Sequence, residues 1–443
     1  MAVAPSLRGV SARFDHATRD YRSLAAIVLG LAIVQAALSA LSAFAPITLI
    51  ARGEPPWAIG LVASAYGAGF LAGALRAPYA IRAIGHIRTF AAVAAFATVV
   101  VLLLFAHPNI AAWAMLEAAL GLCVATLLTA GESWIAELAP RERRGSLLAY
   151  YLIVSKIGQI AGPIALAGLA PNAPGGFMAI AALFAASLIP VSATRNAQPA
   201  PLSAPPSGVR ELWATAPAAV IAAFVAGAVN GAVLQLYAIF AGEVSGMRAT
   251  TAAAAFNGAL ALGSLIAQYP AGWLSDRTDR RNVILGLAAF GCAVSLALSV
   301  SHALPWSATL VLAGLWGAGS MSFYGVAVAH AADRAAPGQT TGMMAGILVT
   351  WAVGALVGPL IAGAMMTAGY GARALFLYAA LGLACLAAAV AVRRARAAAP
   401  APEEKSPFTV SPATSTAAAA IDPRTDDLAE QPDLFTAQPE ERS

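Results

Sequence analysis

The chain has 443 residues, of which 60% are hydrophobic and only 11% are charged. Average soluble domains carry about 25% charged residues, and a water-soluble globule of this length could not cover its surface with so little charge, so the composition predicts an integral membrane protein. The net charge of +5 does not indicate nucleic-acid binding, because the basic residues stand in short links between apolar runs instead of forming one patch.

Residues 1–22 are polar and contain four arginines. The apolar run that follows, Ser23 to Ile50, is too long for the apolar region of a cleaved signal peptide and predicts a retained first helix. Because a spanning helix needs about 20 apolar residues, the chain is predicted to cross the membrane twelve times. The predicted spans are 23–50, 57–79, 89–106, 110–137, 146–170, 176–193, 215–241, 250–271, 283–301, 306–331, 341–367 and 372–392.

The longest link between these spans covers residues 194–214 and is rich in Pro, Ser and Ala. It follows the sixth helix, so it is predicted to be a cytoplasmic linker between a six-helix bundle at 23–193 and a second one at 215–393. Residues 394–443 are rich in Pro, Ala and acidic residues and are predicted to form a disordered cytoplasmic tail. The predicted fold class is an all-α membrane protein.

The arginines predict how the chain is oriented in the membrane. If the N-terminus is cytoplasmic, nineteen arginines lie in or near cytoplasmic links, and three lie on the other side, Arg52, Arg248 and Arg373. Basic residues are retained on the cytoplasmic side, so both termini are predicted to be cytoplasmic. This requires an even number of spans, which twelve satisfies, and the predicted location is the bacterial inner membrane.

Two halves of the chain carry the same motif. A Gly-x-x-x-Gly-Pro sequence occurs in the fifth and in the eleventh helix at an offset of 196 residues, and its members are Gly158, Gly162, Pro163, Gly354, Gly358 and Pro359. Parallel repeats of this kind are typical of transporters. Glycine at every fourth position lets helix backbones approach closely, and proline bends a helix. A bend at the interface between the halves is therefore predicted, with plain close packing as the alternative.

A dense charge cluster lies between the eighth and ninth spans, where five of the six residues from Asp276 to Arg281 are charged. The retention of basic residues in the cytoplasm accounts for the arginines of this cluster. It does not account for the aspartates among them.

The cluster resembles the signature of the major facilitator superfamily, which that family carries between its second and third helices and often again between the eighth and ninth. The matching residues are Gly272, Asp276, Arg277, Arg280 and Arg281, with Asp279 where glycine is usual. In the first copy Ala77 and Ile81 replace glycine and aspartate, while Arg82, Gly85 and Arg88 remain. The fifth-helix motif is similar to the family's antiporter-associated motif. The resemblance covers roughly residues 20–395 and is closest to bacterial twelve-helix members near the sugar and drug transporters.

This resemblance implies two pseudo-symmetric six-helix bundles around a central substrate cavity, a monomeric state and a cytoplasmic gate. In the family the signature aspartate contacts the start of a helix in the opposite half and helps to close the cytoplasmic side. For Asp276 the implied partner is the start of the fifth helix, near Gly145 and Ser146. A carboxylate at a helix N-terminus contributes about 0.3–1 kcal/mol when exposed and up to about 2 kcal/mol when partly buried. Ile81 cannot make such a contact.

Three ionisable residues lie inside the apolar runs and are predicted to bind protons or substrate: Glu117, Glu132 and Lys156. Such residues cost about 2.5–3.5 kcal/mol to insert, so they are candidate functional groups. Glu117 and Glu132 are separated by fifteen residues, which places them about 60° apart on one helix. The alternative is an ion pair between the fourth and fifth helices that only fixes packing. Glu117 stands where the family's fourth-helix motif has arginine, so that arginine's role does not transfer.

The resemblance also implies that uncharged polar residues line the cavity. The principal candidates are Gln35, Asn230 and Gln235, and the alternative for each is a hydrogen bond between helices. Further candidates are Tyr237, Trp316, Ser320, Ser322 and Tyr324, followed by Gln159 and Trp351.

The predicted function is secondary active transport of a small organic molecule by alternating access, with protons as the coupling ion in export or antiport. The alternative within this class is a facilitator or importer for a sugar or metabolite. A membrane enzyme or a receptor is a further alternative, but the chain has no metalloprotease, hydrolase or phosphate-binding motif. No cofactor, disulfide or metal is predicted, because the three cysteines, Cys123, Cys292 and Cys385, lie inside apolar runs.

Overall fold

The structure, a computed structural model, describes residues 7–138, 144–193, 209–335, 340–396, 408–409 and 415. In this part of the chain, twelve helices are long and apolar enough to span a membrane, as predicted. Their bounds are α1 Leu24–Ala51, α2 Pro56–Ile84, α3 His86–Ala106, α4 Ile110–Leu138, α5 Ser146–Ala165, α6 Pro174–Ser192, α7 Pro217–Ser245, α8 Ala249–Arg277, α9 Arg280–Ser299, α10 Trp306–Ala332, α11 Gly342–Tyr370 and α12 Ala374–Arg396. The helix that contains α1 begins earlier, at Leu7.

Several helices extend beyond their predicted ends into charged sequence. α2 continues to Ile84 instead of residue 79, and α8 continues to Arg277 instead of residue 271. Apolar content marks only the part of a helix inside the hydrocarbon, whereas the helix itself can continue into the polar layer. The charged cluster of residues 276–281 therefore lies mostly in helix ends, joined by a link of two residues.

The link between α2 and α3 is a single residue, Gly85. Its φ angle is +83°, in the region that residues with a β-carbon rarely adopt, and its N–H donates to the carbonyl oxygen of Ile81 at 2.8 Å. The glycine retained in the first copy of the signature therefore makes the sharp turn between two helices.

The predicted linker and tail fall partly outside the described residues. Of the linker, residues 194–208 lie outside them, and the remainder belongs to a short helix, Val209–Thr215, that precedes α7. Beyond α12 the structure describes Phe408, Thr409 and Ser415, and two of these make hydrogen bonds to the helices.

The same helix pairs recur in both halves of the chain. In the first half α1 packs on α5, α2 on α4 and α3 on α6, and in the second half α7 packs on α11, α8 on α10 and α9 on α12. Each pair of the second half is the pair of the first half shifted by six helices. The two pseudo-symmetric six-helix bundles predicted from the repeat are thus confirmed.

The fifth-helix glycines let α5 approach the backbone of α1. A β-carbon on Gly158 would lie 2.2 Å from the carbonyl oxygen of Ala32, and one on Gly162 would lie 2.1 Å from that of Ala36. Contacts this short leave no room for a side chain, so the glycines set the distance between the two helices.

The eleventh-helix glycines do the same against α7. A β-carbon on Gly354 would lie 2.1 Å from the carbonyl oxygen of Phe224, and one on Gly358 would lie 2.0 Å from that of Ala228. The closest contacts of both motifs are therefore inside their own halves, as the close-packing alternative describes. The interface between the halves uses another face of α11, where Pro359 approaches Gly60 of α2.

Two faces of the helix bundle differ in charge. The basic face carries the links at Gly85 and at residues 278–279, and the opposite face carries Arg52, Arg248 and Arg373. On the basic face the guanidinium of Arg277 lies 4.1 Å from the ring centroid of Trp273. Aromatic and basic residues at helix ends are typical of the layer between hydrocarbon and water.

Replacing Gly158 or Gly358 by alanine is expected to lower the midpoint of thermal unfolding in detergent, because the added methyl group forces the paired backbones apart. Overpacking of this kind costs about 1–3 kcal/mol. The matched control is Gly258→Ala on α8, where a β-carbon meets nothing within 4 Å. Alanine favours a helix over glycine by about 1 kcal/mol, so this control should melt at or above the wild-type temperature. Equal melting temperatures for all three variants would contradict the packing argument.

Candidate functional site

A cavity of about 300 Å³ lies between the two bundles. Its volume is at the lower end of the range of about 300–1,000 Å³ that small-molecule sites occupy. Aromatic and polar side chains from both halves line it. The polar and aromatic lining residues are Gln35, Ser39, Ser42, Tyr66, Phe70, Tyr151, Ser155, Lys156, Gln159, Asn230, Gln235, Tyr237, Asn257, Ser264, Gln268, Ser322, Tyr324, Trp351 and Phe408.

Lys156 supplies the cationic side chain of this cavity, and among the described lining residues it is the one that carries a charge. Its Nζ donates a hydrogen bond to Oε1 of Gln159, one helical turn away, at 2.9 Å. An ammonium group has three N–H donors, so two are left for other partners. The salt bridges of the described residues do not include Lys156. The alternative considered from the sequence, an ion pair of Lys156 with Glu117 or Glu132, is thus not among the salt bridges of the described residues.

Glu132 is fully buried on α4 and is separated from the cavity by one side chain. Its Oε1 accepts a hydrogen bond of 2.5 Å from the hydroxyl of Tyr151, which lines the cavity, and its Oε2 accepts one from the hydroxyl of Ser415. The carboxylate therefore contacts α5 through a tyrosine instead of through a lysine.

Glu117 has a comparable position nearer the opposite face. It is buried on α4 and lines a much smaller cavity, of about 20 Å³, together with Tyr66 and Gln235. Both of these neighbours also line the main cavity. Each buried carboxylate of α4 thus lies behind a tyrosine that faces the main cavity.

The uncharged candidates divide into two kinds. Asn230 lies in a π-helical turn of α7, Ala226–Asn230, and both ends of its amide are occupied by Ser320 of α10. Nδ2 donates to the Ser320 carbonyl at 2.9 Å, and Oδ1 accepts from the Ser320 hydroxyl at 2.6 Å. Asn230 therefore joins two helices, as the packing alternative describes. The amides of Gln35 and Gln235 line the cavity without a hydrogen-bond partner among the described residues.

Three further hydroxyl groups of the cavity lining are buried without a described hydrogen-bond partner, those of Ser155, Tyr237 and Ser322. Buried polar atoms in native proteins are normally paired. Trp316, by contrast, donates to the Ser295 hydroxyl at 2.8 Å behind the cavity, and the structure does not place it in the lining. The cavity therefore presents one ammonium, two amides and several hydroxyls to a bound molecule.

The described contacts between the halves gather at the opposite face. Nη1 of Arg248 donates to the carbonyl oxygen of Gly168 at 2.8 Å, and the backbone N–H of Trp57 donates to the hydroxyl of Thr367 at 2.9 Å. Further along the helices, Asn257 of α8 donates to the backbone carbonyl of Gln159 on α5 at 3.0 Å. The halves are thus joined at the opposite face, and the cavity lies on the basic side of these contacts.

A buried arginine organises the signature cluster on the basic face. Arg280 is 1% exposed, and two of its nitrogens donate to the carboxylate of Asp333 at 2.6 and 3.2 Å. A third nitrogen donates to the Ser275 hydroxyl at 2.9 Å and to Oδ1 of Asp276 at 3.1 Å. This network ties the ends of α8, α9 and α10 together and satisfies the charge of Arg280.

Asp276 has two described partners, Arg280 and the backbone N–H of Phe408, which donates to Oδ2 at 3.1 Å. The predicted partner at the start of α5, near Gly145 and Ser146, is not one of them. The contact with α5 therefore stays a prediction.

Asp279 caps the N-terminus of α9. Its carboxylate accepts from the backbone N–H of Arg281 at 3.0 Å and from Nη2 of the same residue at 2.8 Å. Desolvation raises the pKa of Asp279, but these hydrogen bonds and the charge of Arg281 outweigh it and hold the pKa below its usual value. With φ of −61° the position does not require the glycine that is usual in the family.

Among the salt bridges between described residues, none belongs to the first copy of the signature. Ile81 is buried where the second copy has an aspartate, and Arg82 and Arg88 are exposed. The guanidinium of Arg82 lies 5.9 Å from the ring centroid of Tyr79. The two bundles thus share their fold but differ in the chemistry of the basic face.

Sequence reasoning missed Asp333, Tyr151, Phe408 and Ser415. The repeat contains a signal for Asp333, since acidic residues stand shortly before the equivalent prolines, Glu137 before Pro140 and Asp333 before Pro337. Between the end of α12 and residue 434, Phe408 is the one aromatic residue, which also sets it apart from its surroundings. For the other two residues the sequence offers no comparable signal.

Comparisons with known proteins agree with this architecture. The family model for the Major Facilitator Superfamily matches residues 27–264 and 256–424. The uncharacterized MFS-type transporter YcaD of Salmonella arizonae is 25% identical over 359 residues, which cover 80% of this chain and 92% of that protein.

Two solved structures have the same fold. The nucleoside transporter NupG has a TM-score of 0.67 at 13% identity and covers 84% of this chain and 98% of its own. A bacterial homologue of the human lysosomal transporter Spinster, in an inward-facing and occupied conformation, has a TM-score of 0.65 at 14% identity. The match covers 86% of this chain and 97% of that structure.

Asp333→Asn is expected to destabilise the protein by about 3–5 kcal/mol, because it removes the buried carboxylate partner of Arg280 and leaves only the partly exposed Asp276 to balance a buried charge. Thermal and urea unfolding in detergent measure the loss. Glu211→Gln makes the same chemical change on an exposed residue, and it should stay within about 0.5 kcal/mol of the wild type. A stability loss no larger than that of the control would show that the pair contributes nothing.

Proposed function

The chain belongs to the major facilitator superfamily and is a multi-pass membrane transporter, and we propose that it moves a small organic anion by proton-coupled alternating access, as an exporter or antiporter. The observation that carries this proposal is the cavity between the two bundles, in which Lys156 faces the centre and two buried glutamates of α4 lie behind tyrosines of the lining. The cavity supplies a place for the substrate, and the glutamates supply sites for protons.

Lys156 supports an anionic substrate. The described lining residues bring no carboxylate into the cavity to neutralise the ammonium group. Hydrogen bonds to charged groups contribute about 1.5–3 kcal/mol, so a carboxylate or similar group would gain most by contacting Lys156. The rings of Phe70 and Trp351 meet edge to face with centroids 5.8 Å apart. They offer an apolar surface for the body of such a substrate.

The buried glutamates support proton coupling. A charged carboxylate inside a membrane is expensive, so its protonation depends on whether water reaches it. Glu132 is bonded to Tyr151, and both lie on the basic side of the contacts that join the halves. Tilting of the two bundles would change the water access of this pair, and a proton could then be taken up on one side and released on the other.

We place the basic face in the cytoplasm, because basic residues are retained there. The cavity then lies open on the cytoplasmic side of the contacts formed by Arg248 and Trp57. In the reverse state the bundles would close at the basic face, and Asp276 would contact the start of α5 as the sequence predicts. The first bundle, residues 23–193, and the second, residues 215–393, would move as units around the cavity.

A facilitator or importer for a sugar or metabolite is the second candidate. The free amides of Gln35 and Gln235 and the unpaired hydroxyls of Ser155 and Ser322 favour it, because they suit a hydroxyl-rich neutral molecule. The charge of the accepted substrate and the response to a pH gradient separate the two candidates.

The purified protein reconstituted in proteoliposomes should transport members of a panel of aromatic and aliphatic carboxylates faster when a pH gradient is imposed. Glu132→Gln should abolish this acceleration, because the amide cannot take up a proton, while leaving carboxylate-induced stabilisation in a thermal-shift assay detectable. Rates that ignore the gradient in the wild type would rule out proton coupling. Preference for uncharged sugars or nucleosides would favour the second candidate.

Lys156→Gln should raise the KM for a transported carboxylate by about 10-fold to 100-fold, the factor that corresponds to a lost charged hydrogen bond of about 1.5–3 kcal/mol. Lys156→Arg keeps the positive charge and should retain more of the affinity. Uncharged substrates, where any are transported, serve as the internal control because their KM should hardly change. A glutamine variant with an unchanged KM for the carboxylate would remove Lys156 from the binding site.

A further inference from the structure

Two residues from the chain beyond α12 lie among the helices on the basic side of the cavity. Phe408 lines the cavity and follows Arg396, the last residue of α12, by twelve residues. Ser415 follows seven residues later and is buried, with 4% of its surface exposed. The tail therefore contacts the same space that a substrate must enter from the basic face.

Phe408 is held by both its backbone and its ring. The backbone N–H donates to Oδ2 of Asp276 at 3.1 Å. The ring occupies the space beside Gly272, where a β-carbon would lie 2.1 Å from a ring carbon, and the space beside Gly325 of α10, where a β-carbon would lie 3.3 Å from the ring. The signature residues thus form a binding position for Phe408. Gly272 leaves space for its ring, and Asp276 accepts the hydrogen bond of its backbone N–H.

Ser415 is held by the other half of the protein. Its hydroxyl donates to Oε2 of Glu132 on α4, whose other oxygen is bonded to Tyr151. Phe408 contacts α8 and α10 while Ser415 contacts α4, so these two residues of the tail touch both bundles on the basic side of the cavity.

We propose that the basic mouth of the cavity is a binding site for the chain's own C-terminal segment, and that Phe408 and Ser415 are the two residues that fix this segment there. The segment and the substrate compete for the mouth. The bound segment also occupies Asp276, because Oδ2 of this carboxylate accepts the hydrogen bond of the Phe408 N–H and is then not available to α5. The tail is therefore an internal inhibitor of the transport cycle.

Few contacts suffice for such a site because the segment is tethered. Covalent attachment to α12 makes binding of the segment an intramolecular event, for which effective concentrations reach about the millimolar range, so even a weak peptide site is substantially occupied. Release of the tail then requires only a partner that binds it more tightly, or a substrate concentration high enough to displace Phe408.

The experiment measures how far the tail shields the cavity, and it needs no substrate. The full chain, with Cys123, Cys292 and Cys385 replaced by alanine, carries Gln268→Cys as a reporter on the cavity lining. The rate of labelling by a bulky maleimide in detergent is compared with and without the double substitution Phe408→Ala and Ser415→Ala. The substitution should raise the labelling rate about tenfold, because the thiol then meets the reagent without prior release of the tail.

Two controls keep the result specific. Thr409→Ala changes the tail beside Phe408 and should leave the labelling rate within about twofold of the wild type. A reporter at Ala395→Cys, exposed at the basic end of α12, should label equally fast in every variant if the proteins are folded. A synthetic peptide of residues 404–418, added in excess to the double variant, should restore the slow rate, whereas a scrambled peptide should not.

An unchanged labelling rate in the double variant, with the Ala395→Cys reporter behaving normally, would overturn the proposal. The inhibitory consequence rests on the proposed transport function and has its own measurement. The double variant should show a higher initial rate in proteoliposomes for any carboxylate that the wild type transports. Failure to transport carboxylates would contradict the proposed substrate class without changing the labelling result. Failure of the tail site and failure of the proposed function can therefore be distinguished.

Discussion

The structure depends on the inability of hydrocarbon to solvate a polar atom. Each unpaired polar group in the membrane costs several kcal/mol, so the described chain crosses it as helices and confines charge to few places. Arg280 lies at the basic face, enclosed by carboxylate and hydroxyl oxygens. Lys156 lies in the cavity. The same constraint that fixes the fold therefore marks where the chemistry is, since a buried charge persists only where a partner, water or a ligand meets it.

The same environment changes how the helices hold together. Lipid tails are as apolar as leucine side chains, so the hydrophobic effect does not drive one helix against another. Helix association depends on close backbone packing instead. Gly158 of α5, packed against α1, and Gly358 of α11, packed against α7, provide it at equivalent positions in the two bundles. This packing lies inside each half and stabilises each bundle by itself. The contacts between the halves, such as those of Arg248 and Trp57, are separate from it, so the proposed mechanism lets them break while each bundle stays packed.

Most of the fold could be predicted from the sequence, because spans, repeat and charge bias are one-dimensional properties. All twelve spans were found this way, and errors occurred where helices continue into polar sequence, as α8 does up to Arg277. The site was predictable only in part. Lys156 and Gln35 stood out as polar residues in apolar runs and do line the cavity. Asn230 stood out for the same reason, but its partner Ser320 is ninety residues away, and no local pattern shows that its amide is occupied.

The tail could not have been placed from the sequence at all. Its composition is that of a chain that cannot build a hydrophobic core of its own. The contacts of Phe408 and Ser415 agree with this, because both residues pack against the helices. The binding position of Phe408 exists in the second bundle because the two copies of the signature differ. The first half has Ile81 where the second has Asp276, so at this position of the signature the second half has a carboxylate that can exchange partners and the first half has none. One acceptor cannot serve the tail and α5 equally in the same geometry. With a carboxylate in one copy of the signature, a single competing segment is enough to bias which face of the cavity is open. A protein with an aspartate in both copies would need two such segments.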